Sequence, residues 1–158
     1  MWRQSLSAGL LLISITALTV QGQHAASHRR ESRIVAAVRA VLDSQREAWN
    51  RGDVAGYMDG YYRSEQTIFV SGDTVTRGWQ TVLDRYKKNY DSREKMGTLT
   101  FSDLQITLLS PDAVVVLGGW GLKRAKDSPH GRFTLIFRRL PEGWRIVHDH
   151  TSAAPLPR

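Results

Sequence analysis

The chain has 158 residues, the length of one ordinary domain. It contains no cysteine, which excludes a disulfide-stapled fold, a Cys-ligated metal centre and a thiol nucleophile. With 22 Lys+Arg against 15 Asp+Glu the formal charge is +7, and 41% hydrophobic residues are typical of a globular protein. The positive charge is compatible with an anionic binding partner. It affects the solubility of the protein and its rate of association with charged molecules, and it does not determine the fold.

The first 22 residues are typical of a secretory signal peptide. Arg3 precedes an uncharged, mostly apolar stretch over residues 6–20. Val20 and Gly22 then place small residues at the two positions that a signal peptidase recognises. The stretch is shorter than the roughly 20 apolar residues of a membrane-spanning helix. We therefore expect cleavage before Gln23, no membrane insertion afterwards, and a periplasmic or secreted protein. Residues 23–32 are expected to form a flexible lead-in.

The first half of the mature chain is predicted to be mainly helical. Apolar side chains recur at helical spacing from Ile34 to Trp49, with Ser32 as N-cap and Gly52 as the residue that ends the helix. Asp53 is the expected cap of a short second helix.

A hairpin and a third helix follow. Residues 67–70 and 74–76 flank a Ser-Gly-Asp turn, which predicts two paired strands. Helical spacing returns over residues 78–90.

Beyond Gly97 the apolar period becomes two, which predicts strands. The predicted strands cover residues 99–108, 113–122, 132–140 and 144–151. The alternation changes phase at Ser102 and Asp103, which predicts a bulge there. Helices followed by strands indicate an α+β fold, with the N-terminal helices packed on one face of a strongly bent antiparallel sheet.

Four local motifs accompany this order of elements. They are residues 48–53 (AWNRGD), 76–78 (TRG), 133–135 (FTL) and 143–152 (GWRIVHDHTS). Together they resemble the nuclear transport factor 2-like (NTF2-like) superfamily, and within it the small bacterial proteins of SnoaL-like or DUF4440 type. The resemblance covers residues 33–152, leaving 153–158 as a tail. It implies a cone-shaped fold with an apolar cavity, and a homodimer through the outer sheet face. The superfamily holds isomerases, cyclases, dehydratases and scaffolds, so function must be argued from residues.

The most concentrated polar segment lies in the last predicted strand. Regular alternation places His148 and His150 on the same face as Ile146, and that apolar face is expected to line the cavity. Two imidazoles there are candidate catalytic acid and base groups, because their pKa of about 6.5 suits proton transfer. The alternative is that they are hydrogen-bonded rim or core residues. Asp149 is expected on the other face, orienting a histidine or meeting solvent. A metal site would need a third ligand from elsewhere, so neither metal nor cofactor is predicted.

Aromatic residues form the second candidate group. Tyr57 and Tyr61 are candidate catalytic donors to a developing oxyanion. The candidate ligand-binding residues are Trp49, Tyr62, Tyr86 and Trp120. For each residue taken singly, the simpler interpretation is core packing.

These patterns favour an exported protein that binds a small apolar or aromatic molecule and acts as a cofactor-free isomerase-, cyclase- or dehydratase-like enzyme. The alternative is a non-catalytic dimeric scaffold or interaction module whose cavity is filled by its own side chains. Basic residues occur in short, dispersed pairs such as Lys87-Lys88, without the single stripe typical of nucleic-acid binding, so no nucleic-acid partner is predicted.

Overall fold

A computed structural model describes the backbone of residues 8–155 and the side chains of residues 23–155. The chain divides into two compact units, with the boundary between Ala36 and Ala37. The predicted signal peptide lies outside the residues whose side chains are described, and it stays a prediction.

Helix α1 spans Ala8–Asn50 and enters both units. It begins well before the expected start, so Ser32 is not an N-cap: its hydroxyl lies inside the helix and donates to the carbonyl oxygen of His28 at 2.9 Å. Residues 23–32, expected to be a flexible lead-in, are helical with exposed side chains. Within the described part of the chain, no helical segment combines the length and the apolar character needed to cross a membrane.

The second unit starts with the amphipathic end of α1. Its buried side chains recur every three or four residues, at Val38, Leu42, Gln45, Ala48 and Trp49. The helix ends at Asn50, and Gly52, predicted to terminate it, follows two residues later with a positive φ of 86° that suits glycine. The next helix, α2 (Val54–Met58), is capped by Asp53, whose Oδ1 accepts from the backbone N–H of Gly56 at 2.7 Å.

The remaining predicted elements are all present. They are β1 (Ile68–Ser71), β2 (Thr74–Arg77), α3 (Trp79–Asn89), β3 (Thr98–Ser110), β4 (Ala113–Lys123), β5 (His130–Leu140) and β6 (Gly143–Ala153), with an unpredicted turn of helix, α4 (Arg93–Met96), before β3. The predicted bulge in β3 is confirmed by a break in register between Ser102 and Gln105.

The strands form a six-stranded sheet in the order β2-β1-β6-β5-β4-β3. The α+β class is confirmed, but a wholly antiparallel sheet is wrong, because β1 pairs with β6 in parallel. Local patterns do not reveal this pairing, since most of the second unit lies between the two strands in sequence. Asn50 fixes the end of α1 to the edge strand: its side chain donates to the Leu99 carbonyl at 3.1 Å and accepts from the Leu99 N–H at 2.7 Å.

Strand β6 contains a bulge that decides which side chains face inward. Ile146 is paired with Phe137, and His148 is paired with Ile136, so Val147 is an extra residue. Trp144 and Ile146 are buried before the bulge, and Asp149 is buried after it. The expected regular alternation is therefore wrong beyond Ile146.

Candidate functional site

The second unit contains a cavity of about 210 Å³ between its helices and the inner face of the sheet. Helix α1 supplies Gln45 and Trp49, α2 supplies Tyr57, and α3 supplies Arg85 and Tyr86. The floor is buried, whereas other lining side chains are partly or fully exposed and form the rim. The described rim residues are Ser71, Arg85, Tyr86, Asn89, Tyr90, Phe101, Trp120, Thr151 and Ala153.

Asp149 is the carboxyl group of this cavity. It is only 3% exposed, and the sheet places it beside Leu135 on one neighbouring strand and Phe69 on the other. The hydroxyl of Tyr61 donates to its Oδ2 at 2.6 Å, and the hydroxyl of Thr151 donates to its Oδ1 at 2.6 Å. Each carboxylate oxygen can accept a second hydrogen bond, so capacity remains for a ligand.

The apolar surroundings make Asp149 a weaker acid than usual. Burial raises its pKa from an ordinary 3.8 to about 6. The hydrogen bonds from Thr151 and Tyr61, together with the positive charge of His150, oppose part of that rise. A carboxyl group with this pKa exchanges protons near neutral pH, as a general acid or base must.

The tyrosines supply neutral hydroxyl groups to the same cavity. Tyr61 is 1% exposed, Tyr57 is 9% exposed, and burial raises the pKa of both well above the ordinary value. The Tyr57 ring packs 5.1 Å from Trp49 and 5.3 Å from Tyr86, measured between centroids. Gln45 donates to the Tyr57 carbonyl at 2.9 Å, which fixes the backbone of α2 against α1. Both hydroxyls remain protonated at physiological pH. The proton of Tyr61 is donated to Asp149, so Tyr57 is the tyrosine of this pair that can donate to a ligand oxygen.

The two candidate histidines do not belong to this site. His150 is exposed and His148 is partly exposed, and neither lines the cavity. The bulge at Val147 turns both rings to the other face of the sheet, so their predicted place on the cavity face is wrong. Tyr62 does not line the cavity either; its backbone N–H donates to the Ile146 carbonyl at 2.9 Å.

The other predicted site residues are brought together. Trp49, Tyr57, Tyr61, Tyr86 and Trp120 all line the cavity. Trp49 donates its indole N–H to the Met96 carbonyl at 3.1 Å, and Trp120 donates to the Ser152 carbonyl at 3.0 Å. Both rings are therefore held in place as parts of the wall.

Sequence reasoning missed five non-aromatic polar lining residues, Gln45, Ser71, Arg85, Asn89 and Thr151. It also placed Asp149 on the wrong face. The helical spacing of Gln45 with Leu42 and Trp49 was the available signal for an inward side chain. No local pattern marks Asp149, because its direction depends on how β6 pairs with β5. Among residues 23–155, no three His, Asp or Glu side chains converge to hold a metal ion.

The helices packed on a six-stranded mixed sheet, with an aromatic cavity between them, define an NTF2-like fold. The family model described as a SnoaL-like domain matches residues 38–157, and the chain belongs to this family. The assignment to the DUF4440 type stays a prediction. No curated protein matches the chain.

Solved structures share the fold. An NTF-2 like protein of unknown function from Shewanella oneidensis MR-1 has a TM-score of 0.72 and 42% identity, covering 75% of this chain and 98% of its own. A ketosteroid isomerase-like protein from Erwinia carotovora atroseptica has a TM-score of 0.61 and 15% identity, and the match covers 76% of this chain and 96% of that protein. A candidate scytalone dehydratase from Novosphingobium aromaticivorans has a TM-score of 0.70 and 6% identity, and the match covers 82% of this chain and 90% of that protein. The last two likenesses concern the fold alone.

Proposed function

We propose that the protein binds a small apolar or aromatic molecule in this cavity and transfers a proton to or from it without a cofactor. The observation that carries the proposal is Asp149, a buried carboxyl group facing an aromatic cavity, with a pKa of about 6. About nine tenths of such a group is ionised at pH 7, so it is available as a base. It also accepts a proton readily enough to return it.

The hydroxyl groups around Asp149 complete this chemistry. Tyr61 and Thr151 hold the carboxylate through both oxygens, which leaves it little rotational freedom. Tyr57 lies in the same wall and keeps its proton because burial raises its pKa. When a base removes a proton next to a carbonyl group, negative charge develops on the carbonyl oxygen, and a buried tyrosine hydroxyl is a suitable donor to it. The reaction class is therefore proton abstraction and return, as isomerisation and dehydration require.

Deuterium exchange into simple carbonyl compounds tests this proposal. The probes are aromatic ketones and enones with an acidic C–H bond next to the carbonyl group, incubated in D2O and followed by proton NMR. We expect the protein to accelerate exchange in at least one probe, and Asp149→Asn to reduce that rate about 100-fold or more. Asp84→Asn is the matched control, because it removes an exposed carboxyl group of α3 outside the cavity wall. Equal rates in wild type and Asp149→Asn would contradict the catalytic role of Asp149.

The alternative function is a non-catalytic dimeric module whose cavity is filled by its own side chains. A volume of about 210 Å³ has room for several heavy atoms, which favours the ligand-binding interpretation. Trp49 and Trp120 line the wall, so their fluorescence should report an occupied cavity. Probe binding without exchange in any probe would support a binding protein rather than an enzyme.

A further inference from the structure

Of the described residues that line the cavity, Arg85 is the one with a permanent positive charge. It lies on α3 at the rim and is partly buried. Its Nη1 donates to the Thr76 hydroxyl at 3.2 Å, and its guanidinium carbon lies 5.4 Å from the centre of the Phe69 ring. Strands β1 and β2 thus hold the side chain from two sides, while other guanidinium N–H groups remain for a ligand.

The charge of Arg85 is not neutralised by the protein around it. Across residues 23–155, none of the ion pairs within 4.0 Å involves this guanidinium. The cavity therefore has a buried acidic group at its floor and a separate cationic group at its rim.

We propose that the ligand is a small organic monoacid, whose carboxylate is bound by Arg85 at the rim while its uncharged apolar or aromatic part lies against Asp149. This inference rests on the proposed function and names its substrate class. A guanidinium matches a carboxylate through two parallel N–H donors, and one cation balances one negative charge. Ionised Asp149 repels a second anion at the floor, so the acid enters with its apolar end first.

The test uses pairs of probes that differ only in charge. The pairs run from benzoate to 4-phenylbutanoate, each with its amide, and the dissociation constants are measured by tryptophan fluorescence at pH 7 and low salt. We expect at least one acid to bind about tenfold more tightly than its amide. Arg85→Gln should remove this preference, and Arg85→Lys should retain part of it. Circular dichroism checks that both variants fold.

Lys87→Gln is the matched control, because it removes a positive charge from the exposed face of the same helix. It should keep the preference for the acid. This inference would be overturned if the amides bind as tightly as the acids, or if Arg85→Gln keeps the preference for the acid. In either case the cavity would still be a binding site for a small molecule. Failure of every acid and every amide to bind would overturn both this inference and the proposed function.

Discussion

The buried carboxyl group of Asp149 should make the stability of the protein depend on pH in a defined direction. Its pKa is about 6 in the folded chain and 3.8 when unperturbed. Between these pH values the folded chain holds a proton that the unfolded chain has released. The free energy of unfolding therefore falls as pH rises from about 4 to about 6, and this contribution is constant above that window. Each pKa unit corresponds to about 1.4 kcal/mol, so the total loss is about 3 kcal/mol.

Asp149→Asn should remove this loss, because an amide keeps the shape of the side chain and cannot ionise. Urea unfolding followed by tryptophan fluorescence, at several values between pH 3.5 and 7.5, gives the free energies. We expect the difference in free energy of unfolding, variant minus wild type, to increase by about 3 kcal/mol as the pH rises from 3.5 to 7.5. Asp84→Asn removes an exposed carboxyl group and serves as the control. If the difference between Asp149→Asn and wild type is the same at all pH values, the inferred burial cost is wrong.

Four further outcomes follow from the structure and the proposals. Exchange catalysed by Asp149 should fall about tenfold for each pH unit below about 6, as pH–rate measurements would show, whereas a flat profile would contradict a carboxylate base. Asn50→Ala should lower the free energy of unfolding by about 2 kcal/mol, because it removes both hydrogen bonds to Leu99; an unchanged urea midpoint would refute this. The proposed homodimer should sediment as two chains and be weakened by Leu117→Glu on the exposed outer sheet, so a monomer in wild type would exclude it. N-terminal sequencing of exported protein should find Gln23 first, and recovery of residue 1 would refute cleavage.

Much of the fold could be predicted from the sequence because its signals are local. The cap at Asp53, the glycine that ends α1 and the change of apolar period after Gly97 each depend on a few neighbouring residues. The start of α1 was missed because Ser32 looks like a cap, although a helix can also continue through it. The parallel pairing of β1 with β6 has no local signal at all.

The candidate site was predicted in part, and the error has a single physical cause. Aromatic residues on helices keep their direction over several turns, so Trp49, Tyr57 and Tyr86 were placed correctly. On β6, alternation predicts direction only while the pairing stays regular. The extra residue Val147 is specified by the hydrogen bonds to β5 rather than by the sequence of β6. Because of it, Asp149 faces the cavity and the two histidines face the opposite side of the sheet.

The bulge in β6 has a consequence for how this cavity could change its chemistry. The last part of the strand carries a carboxyl group facing one way and two imidazoles facing the other, and a slip of one residue would exchange them. The parallel pairing with β1 and the hydrogen bond from Tyr61 to Asp149 hold the present register. The group presented to a ligand is thus selected by backbone pairing. A mutation elsewhere in the chain that moves the bulge would therefore replace the carboxylate in the cavity with an imidazole, without any change in the sequence of β6.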